Sequence, residues 1–427
     1  MQNRLDAKLI LLYTLLVLQV FIVMIYVVST PPAEYETSTT KNPVSFVNME
    51  TSKVHSHVEV NIQPTYKTII EEFRLKDFKT LDFFVPQNNT LCWKEGMDMK
   101  SKEAFSDSDK CICKQGWHGS DCGQPEVVWR AIMASKQNIK LKRRRATRRL
   151  IYMFSVHDYN SAIAEVIVEE LYHVVDLFVI CDFSNSEDNF KHKLSKGLLK
   201  SQQNKILYIN AALKIKKPKR VISKYIWDKI GETVKNIKED DIYVTTKSEQ
   251  ILNWRALMFL KVYDGWPQPI GFRLRWSVFG FFWQHPSKTA INIGACTVGL
   301  IYNAFRTNSQ ILQQELDGES SERENLGLVI GDLNHYGGWY CHYCQSPAHV
   351  LHLLQQEKKT EVPGKNKIID VLFIEDLIGS GVWIDGKTSL QRAYKSRDTY
   401  FAPETVFANA FKYDWLAENF YAKLDYY

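Results

Sequence analysis

Charged side chains follow two apolar segments of the sequence, at the points where strands are predicted to end. Asp182 comes after the run VVDLFVI, and the segment TKSEQ at residues 246–250 follows the run DIYVT. In open α/β sheets ligands bind beyond the carboxyl ends of the strands, so we expect these residues at one site. The second segment supplies a carboxylate at Glu249 and an ammonium at Lys247, which can neutralise anionic charge on a ligand.

The downstream half of the chain places further polar side chains within dense aromatic sequence. Arg275 lies near the centre of the segment IGFRLRWSVFGFFW at 270–283, and His335 and Trp339 lie in the segment HYGGWYCHYC at 335–344. Aromatic rings at strand spacing favour a core, whereas exposed rings beside polar groups suit stacking on sugar faces. Arg275 is interpreted either as a contact to phosphate or acceptor or as half of a structural ion pair. His335 contacts phosphate or a metal, or else it is a hydrogen-bonded core histidine.

The elements that must position these residues alternate in periodicity from Arg148 onward. Strands are predicted at residues 150–156, 174–180, 205–209 and 241–245, and helices at residues 161–173, 220–238 and about 253–263. Strands that alternate with helices predict an α/β domain with a mostly parallel sheet covered on both faces. Roughly 280 residues are ample for a full core.

An apolar run of 20 residues at positions 9–28 is long enough to cross a bilayer as a helix. Arg4 and Lys8 precede it, so the positive-inside rule predicts a single-pass type II protein with most of the chain on the far side. A secretory signal peptide is the alternative, but residues 27–29 (VVS) form a poor cleavage site.

Composition divides the chain into six predicted parts. They are a cytoplasmic tail (1–8), a transmembrane anchor (9–28), a stem (29–87), an EGF-like cysteine-rich module (88–125), a basic linker (126–147) and the large α/β domain (148–427). The beginning of the stem is rich in Ser, Thr, Pro and Glu and cannot bury enough apolar surface to fold. The net charge of +6 comes largely from the run KLKRRRATRR at 140–149, which is predicted to be solvated. No nucleic-acid partner is expected.

The eight cysteines form a close group of four and a dispersed group of four. The first group is Cys92, Cys111, Cys113 and Cys122, and the second is Cys181, Cys296, Cys341 and Cys344. Disulfides are expected because the chain is predicted to face an oxidising compartment. The segment CICKQGWHGSDC at 111–122 resembles the C-terminal half of an EGF-like module, although a full module has six cysteines. That resemblance pairs Cys113 with Cys122 and leaves Cys92 to Cys111, whereas spacing alone leaves three pairings open.

Two further sequence features concern modification and cross-linking. The C-x-x-C at 341–344 is also compatible with a redox pair or half of a zinc site. No thioredoxin-like sequence surrounds it and no second C-x-x-C supplies further ligands, so structural disulfides are favoured. Asn88 begins the chain's only N-x-S/T sequon and is predicted to carry a glycan.

Several segments of the chain resemble glycosyltransferase family 17. They are CWKEG at 92–96, GWHGSDC at 116–122, LKVYDGW at 260–266, RWSVFGFFW at 275–283, GACTV at 294–298, HYGGWYCHYC at 335–344 and FAP at 401–403. The resemblance extends from about residue 88 to residue 413. It implies that residues 148–427 form a GT-A-like nucleotide-sugar transferase domain, held in the Golgi lumen by a type II membrane anchor.

The family resemblance also implies an activity. Family members transfer N-acetylglucosamine from UDP-GlcNAc to the core β-mannose of N-glycans with inversion, so it implies glycoprotein acceptors and a Mn²⁺ or Mg²⁺ ion. The candidate catalytic residues are Glu249, Lys247 and His335, those for nucleotide-sugar binding are Asp182, Asp241, Arg275 and Trp339, and the candidate metal ligand is Glu249. A carboxylate must deprotonate the acceptor hydroxyl. The candidates in predicted loops are Asp332, Glu375, Asp376 and Asp385.

One segment departs from the family pattern. The family has D-D-A-D-E-I-P where residues 246–252 read TKSEQIL, directly after a retained DDIYV. Lys247 replaces the first aspartate of the D-x-D, and Glu249 keeps a carboxylate at the second. Mn²⁺ and Mg²⁺ prefer hard anionic oxygens, which the two aspartates would supply. A two-carboxylate metal site is therefore not expected.

Three interpretations of the whole chain follow. The first is an active luminal glycosyltransferase with altered metal use. The second is a catalytically inactive protein of the same fold that binds glycans or a transferase partner. The third is a membrane-anchored EGF-like adhesion protein, which a truncated module beside a large α/β domain disfavours. The retention of the full-length domain, aromatic segments included, favours the first.

Overall fold

The computed structural model describes most of the chain. The described residues are 16–19, 73–87, 89–99, 110–157, 161–184, 190–212, 219–303, 327–357 and 369–422. The chain divides into two compact units, Met1–Asn61 and Ile62–Tyr427. Across the described ranges, no helix is long and apolar enough to cross a membrane. Apart from residues 16–19, which are helical, the predicted anchor lies outside those ranges, as do Asn88 and most of the stem.

The second unit contains strands and helices in alternation. The strands are β1 (Phe84–Gln87), β2 (Thr90–Trp93), β3 (Trp117–His118), β4 (Gln124–Pro125), β5 (Lys142–Arg143), β6 (Leu150–Val156), β7 (Leu177–Asp182), β8 (Ile206–Asn210), β9 (Ile242–Thr246), β10 (Gln250–Leu252), β11 (Tyr263–Asp264), β12 (Ile270–Val278), β13 (Trp283–Thr297), β14 (Leu328–Ile330), β15 (Gly338–His342) and β16 (Gln391–Arg392). The helices are α1 (Glu126–Ala134), α2 (Ser161–Leu171), α3 (Phe190–Ser195), α4 (Lys219–Thr233), α5 (Trp254–Val262), α6 (Val298–Asn303), α7 (Pro347–Glu357), α8 (Val371–Ser380), α9 (Glu404–Ala408) and α10 (Ala410–Ala417), with short 3-10 helices at Thr80–Phe83 and Gln203–Lys205.

A ten-stranded mixed sheet forms the centre of this unit. Its strand order is β10-β15-β12-β13-β9-β6-β7-β8, with β14 beside β12 and β16 beside β13. Strands β9, β6, β7 and β8 are parallel to one another, as predicted. The prediction of a mostly parallel sheet is nevertheless wrong in part of the other half, where β14 and β15 are parallel to β12 but every pairing of β13 is antiparallel. Strands β12 and β13 form a long antiparallel hairpin, and β13 also pairs antiparallel with β9.

The sheet is buried on both faces. In β6, Leu150, Tyr152 and Phe154 pack into one core cluster, and Ile151 and Met153 pack into the other. This alternation follows from the two-residue period of a strand. Helices α2 and α5 contribute to the first cluster, and α4 contributes to the second. Two covered faces hold the strand ends in fixed positions, which a binding site at those ends requires.

Three disulfides are present among the described cysteines. They join Cys92 to Cys111, Cys113 to Cys122, and Cys341 to Cys344. The expectation of disulfides throughout is wrong for Cys181 and Cys296, which are buried free thiols. Strands β9 and β6 separate the two thiols in the sheet, so their Cα atoms lie at least about 14 Å apart. A disulfide needs Cα atoms within about 7 Å.

The basic run at 140–149 contributes a strand to a separate two-stranded sheet and forms ion pairs, so it is not solvated along its length. Strand β5 pairs with β11. Arg144 and Arg148 both form ion pairs with Asp264, at 2.7 and 2.5 Å. Arg149 is 1% exposed and forms an ion pair with Asp241. The predicted solvation fails because the guanidinium groups find carboxylates on strands that are distant in sequence.

Candidate active site

The carboxyl ends of β6, β7 and β9 lie along one edge of the sheet. Asp182 ends β7 opposite Val156 of β6, and Thr246 ends β9 opposite Phe154 of β6. Strands are spaced by about 4.8 Å, so Asp182 lies about 10 Å from the chain that leaves β9. The structure therefore brings Asp182 and residues 246–250 to the same edge.

Asp182 is buried and its two carboxylate oxygens already have partners. The Tyr208 hydroxyl donates to Oδ2 at 2.8 Å, and the Ser184 backbone N–H donates to Oδ1 at 2.8 Å. The next residue, Phe183, stacks on the His157 ring with centroids 5.8 Å apart. Asp182 therefore fixes the chain that follows β7 and presents little free carboxylate to a ligand.

A closed turn carries Lys247 and Glu249 from β9 into β10. The Lys247 backbone N–H donates to Gln250 Oε1 at 3.0 Å, and the Gln250 backbone N–H donates to the Lys247 carbonyl at 3.2 Å. The Glu249 carbonyl accepts from the Cys341 backbone N–H at 2.9 Å, which fastens the turn to β15. Lys247 is exposed, and the Glu249 side chain is 15% exposed.

Glu249 meets a histidine on the neighbouring strand. Its Oε2 lies 3.5 Å from Nδ1 of His342, which is also 15% exposed. The Tyr340 hydroxyl oxygen lies 2.7 Å from the same Nδ1. Trp383 stacks on the His342 ring at 5.4 Å, and Trp276 packs edge-on against Tyr340 at 4.8 Å. The arrangement is a carboxylate, an imidazole and a phenol held in one place by two tryptophans.

More charge surrounds this cluster. Lys288 Nζ lies over the rings of Trp276 and Trp383, at 5.6 and 5.2 Å from their centroids. Burial lowers the pKa of His285, and the nearby Lys288 ammonium lowers it further. His285 packs edge-on against Trp383 with ring centroids 5.5 Å apart. Proton-transfer groups and aromatic faces therefore occur together, which suits chemistry on a sugar hydroxyl.

The sequence singled out neither His342 nor its aromatic neighbours. The motif HYGGWYCHYC contained the signal, because Tyr340 and His342 are two residues apart and so share one face of β15. Trp276 is the neighbour of Tyr340 on β12, which brings its ring onto that face.

Arg275 and Trp339 lie on the opposite face of the same strands. They are neighbours in the β12–β15 register, one residue before Trp276 and Tyr340. Arg275 is buried, donates to the Tyr400 carbonyl at 2.7 Å and lies 3.4 Å from Asp398. Trp339 Nε1 donates to that same carbonyl at 2.9 Å. The structure thus does not bring these two residues to Glu249.

Asp241 lies at the other end of β9. It precedes Ile242, so about 20 Å of strand separates it from Lys247. Its Oδ1 accepts from Arg149 Nε at 2.8 Å, and its Oδ2 accepts from Arg149 Nη2 at 2.5 Å and from the Lys238 backbone N–H at 2.7 Å. Asp241 therefore closes a buried ion pair at the amino edge of the sheet, away from the residues at the carboxyl edge.

His335 lines a cavity that Glu126 and Tyr400 also border, and it does not lie with Lys247 and Glu249 at the strand ends. Its Nδ1 lies 3.2 Å from Asp332, and its Nε2 lies 3.9 Å from Glu126. Asp332 accepts from the backbone N–H groups of Asn334 and His335, both at 2.7 Å. Burial raises the pKa of Asp332, but these hydrogen bonds outweigh burial and the pKa is lowered overall.

The remaining base candidates lie around α8. Glu375 and Asp376 are on that helix, and Asp385 lies in the turn after it. Asp385 accepts from the Lys387 and Thr388 backbone N–H groups, both at 2.8 Å. These hydrogen bonds outweigh its burial and lower the pKa of Asp385. Asp385 thus stabilises a turn near His285.

The donor set at the turn does not fit a D-x-D metal site. In the part of the chain that the structure describes, no group of three or more His, Cys, Asp or Glu side chains could hold a metal ion. Glu249 faces an imidazole, and Asp182 has both oxygens engaged. The Lys247 ammonium on the same turn repels a divalent cation. The residues of this turn therefore do not supply the two carboxylates with which a D-x-D site holds a divalent cation.

Comparison with known proteins points to a transferase. The chain is 26% identical over 340 residues to the β-1,4-mannosyl-glycoprotein 4-β-N-acetylglucosaminyltransferases of Mus musculus and Homo sapiens. The Rattus norvegicus protein of the same name is 25% identical. Each match covers 73% of this chain and 62% of the relative, so the chain spans less than two thirds of those proteins.

No family profile matches the chain, and no solved structure matches it. The predicted resemblance is nonetheless confirmed: the chain is distantly similar to β-1,4-mannosyl-glycoprotein 4-β-N-acetylglucosaminyltransferases, as a divergent member would be. Its mixed α/β fold and its charged strand-end edge are compatible with a transferase of this kind.

Proposed function

We propose that the chain transfers N-acetylglucosamine from UDP-GlcNAc to the core β-mannose of N-glycans, with inversion at the anomeric carbon. The observation that carries the proposal is the contact between Glu249 and His342, 3.5 Å apart at the carboxyl edge of the sheet. The sequence resemblance implies that this turn corresponds to the D-x-D of glycosyltransferase family 17. The homologues support the reaction class, and the paired proton-transfer groups support turnover over binding alone.

In the proposed reaction, Glu249 removes the proton from the acceptor hydroxyl. The hydroxyl oxygen bonds to the anomeric carbon as the bond from that carbon to the UDP oxygen breaks, and the proton remains on Glu249. The His342 ring lies beside the carboxylate and limits its position, while its Nδ1 hydrogen-bonds with the Tyr340 hydroxyl and Trp383 stacks on the ring. His342 is thus a positioning residue, and Glu249 is the catalytic residue.

Lys247 is proposed to neutralise the departing diphosphate. It lies two residues before Glu249 on the same closed turn, and its side chain is exposed at the binding edge. An ammonium placed where negative charge develops lowers the barrier without a metal ion. We therefore propose that Mn²⁺ or Mg²⁺ contributes less here than a D-x-D site would require.

Restoring the two aspartates tests this role of Lys247. We expect the double variant Lys247→Asp/Glu249→Asp to gain Mn²⁺ dependence, because two carboxylates would hold a divalent ion that a lysine repels. The measurement is the rate of UDP release from UDP-GlcNAc by the full-length protein, in Mn²⁺ and in EDTA.

The matched control is Lys229→Asp/Glu232→Asp, an exposed ion pair on α4 that should leave the ratio of the two rates unchanged. Equal ratios in the parent and in the restored variant would refute the assignment of Lys247.

We also propose that the chain is a type II Golgi membrane protein with a luminal catalytic domain and a glycan on Asn88. The apolar run and the sequon support this topology. Glycosidase treatment of protein from transfected cells should increase its gel mobility. Asn88→Gln should abolish the shift, whereas Thr90→Ser, which keeps the sequon, should retain it. A parent protein with unchanged mobility would contradict a luminal Asn88.

A further inference from the structure

The cavity that His335 lines is bordered by both the cysteine-rich segment and the sheet, and Glu249 is not among its lining residues. Its volume is about 690 Å³, within the range of small-molecule sites. The lining residues that matter here are Trp117, Glu126, Arg130, Arg255, Tyr400 and Glu404. Trp339, whose Nε1 donates to the Tyr400 carbonyl, lies on the face of β15 opposite to His342.

We propose that this cavity is a binding site for an uncharged oligosaccharide, and that it holds an arm of the N-glycan acceptor remote from the reacting hydroxyl. The binding claim stands on the cavity alone. The role of the bound arm as acceptor rests on the proposed transferase function.

The charges of the lining select among ligand classes. Glu126 and Glu404 carry negative charge, and Arg130 and Arg255 carry positive charge. A diphosphate would meet two carboxylates, and an apolar ligand would cover the ion pairs Arg130–Glu126 and Arg255–Glu404 without hydrogen-bonding to them. A sugar presents hydroxyl groups that both donate and accept, so it can satisfy guanidinium and carboxylate groups in the same cavity.

Aromatic side chains add surfaces for the apolar faces of sugar rings. Trp117 and Tyr400 are partly exposed where they border the cavity. Burial, with the nearby charges of Glu126 and Asp332, raises the pKa of Tyr400 to about 12. Its hydroxyl therefore stays protonated at neutral pH and can donate a hydrogen bond to a sugar oxygen.

The walls of the cavity are held in place before any ligand binds. Arg275 and Trp339 both donate to the Tyr400 carbonyl, at 2.7 and 2.9 Å. Arg255 lies 2.7 Å from Glu404 and donates to Glu95 at 3.0 Å. A site whose side chains are already fixed loses less conformational entropy on binding.

The position of the cavity also suits an extended ligand. Strand β10 is the last strand at its end of the sheet, and it directly follows the turn that carries Glu249. Asn253, the residue after β10, borders the cavity. An oligosaccharide that passes around this edge can contact both places, which would make the cavity a determinant of acceptor specificity.

Binding and transfer are tested separately with the full-length protein. The probe is a neutral biantennary N-glycan, released from a glycoprotein and labelled at its reducing end, and its dissociation constant is measured by fluorescence anisotropy. Arg130→Ala and Tyr400→Phe should each weaken binding by about tenfold, since each removes a polar contact to the ligand. Neither change disturbs the core, because Arg130 is 44% exposed and Phe retains the Tyr400 ring.

The controls separate this inference from the proposed function. Lys229→Ala breaks a comparable exposed helical ion pair and should leave binding unchanged. Glu232→Gln, at an exposed carboxylate on α4, should bind the glycan within about twofold of the parent. Absence of glycan binding, or equal affinity of the parent and both cavity variants, would overturn the inference. If the parent binds the glycan, the Arg130 and Tyr400 variants weaken that binding, and no sugar is transferred, then the cavity is a glycan-binding site and the proposed transferase function is wrong.

Discussion

Glu249→Gln should lower the rate of sugar transfer from UDP-GlcNAc by about a hundredfold or more, the usual contribution of a general base. The amide has nearly the shape of the carboxylate but cannot accept the proton. Because Glu249 is partly exposed at a turn, the variant should fold with unchanged stability. The measurement is the initial rate with a saturating N-glycan acceptor.

Variants around Glu249 separate catalysis from positioning. His342→Ala should lower kcat less than Glu249→Gln does, and Tyr340→Phe should have the smallest effect, because Tyr340 contacts only the ring that orients the carboxylate. Glu232→Gln, an exposed carboxylate on α4, is the matched control and should keep the parent rate. A Glu249→Gln rate within threefold of the parent's would show that another group takes the proton.

Asp241→Ala should reduce the free energy of unfolding by about 3–5 kcal/mol, the cost of leaving a buried charge without its partner. Asp241 and Arg149 are 2% and 1% exposed in side chain and form two hydrogen bonds. Chemical denaturation followed by tryptophan fluorescence measures the change.

The double replacement Arg149→Met/Asp241→Leu distinguishes an orphaned charge from lost packing. It should destabilise the protein less than Asp241→Ala does, because it leaves no unpaired charge. Lys229→Ala, which removes an exposed ion pair, should produce no measurable change. If the double variant were the less stable of the two, shape and not charge would dominate at this position.

Local pattern was enough to predict the elements of the parallel half of the sheet. The strand predicted at 150–156 is β6, and the helix predicted at 253–263 is α5. Asn253 caps α5, since its Oδ1 accepts from the Arg255 and Ala256 backbone N–H groups. The predicted strand at 174–180 begins three residues too early, because an apolar run does not indicate where a turn ends and a strand begins.

The other half, in which β15 is parallel to β12 and β13 is antiparallel to β12 and β9, could not be predicted in the same way. The hairpin of β12 and β13 lies between β9 and β15, so it places a reversed strand within the sheet. The aromatic segment at 270–283 correctly indicated a core, since Phe272, Phe279 and Phe281 are buried, but no local signal specified the neighbours of β12. The period of a strand reveals its faces and not its partners.

The same limit explains the candidate site. The sequence placed Lys247 and Glu249 on one turn, but His342 reaches Glu249 only because β10 pairs with β15, ninety residues further along the chain. Arg275 and Asp241 were given binding roles from resemblance, whereas the structure holds both in ion pairs with Asp398 and Arg149. Charged side chains find such partners only when the chain has folded.

Mass spectrometry of a neutral N-glycan acceptor, incubated with UDP-GlcNAc and the purified full-length protein, tests the central claim most directly. We expect the acceptor to gain the mass of one N-acetylhexosamine in the presence of EDTA as well as Mn²⁺, and to gain none with Glu249→Gln. An acceptor left unmodified under every metal condition, by protein that still binds the glycan, would contradict the claim and identify a binding protein.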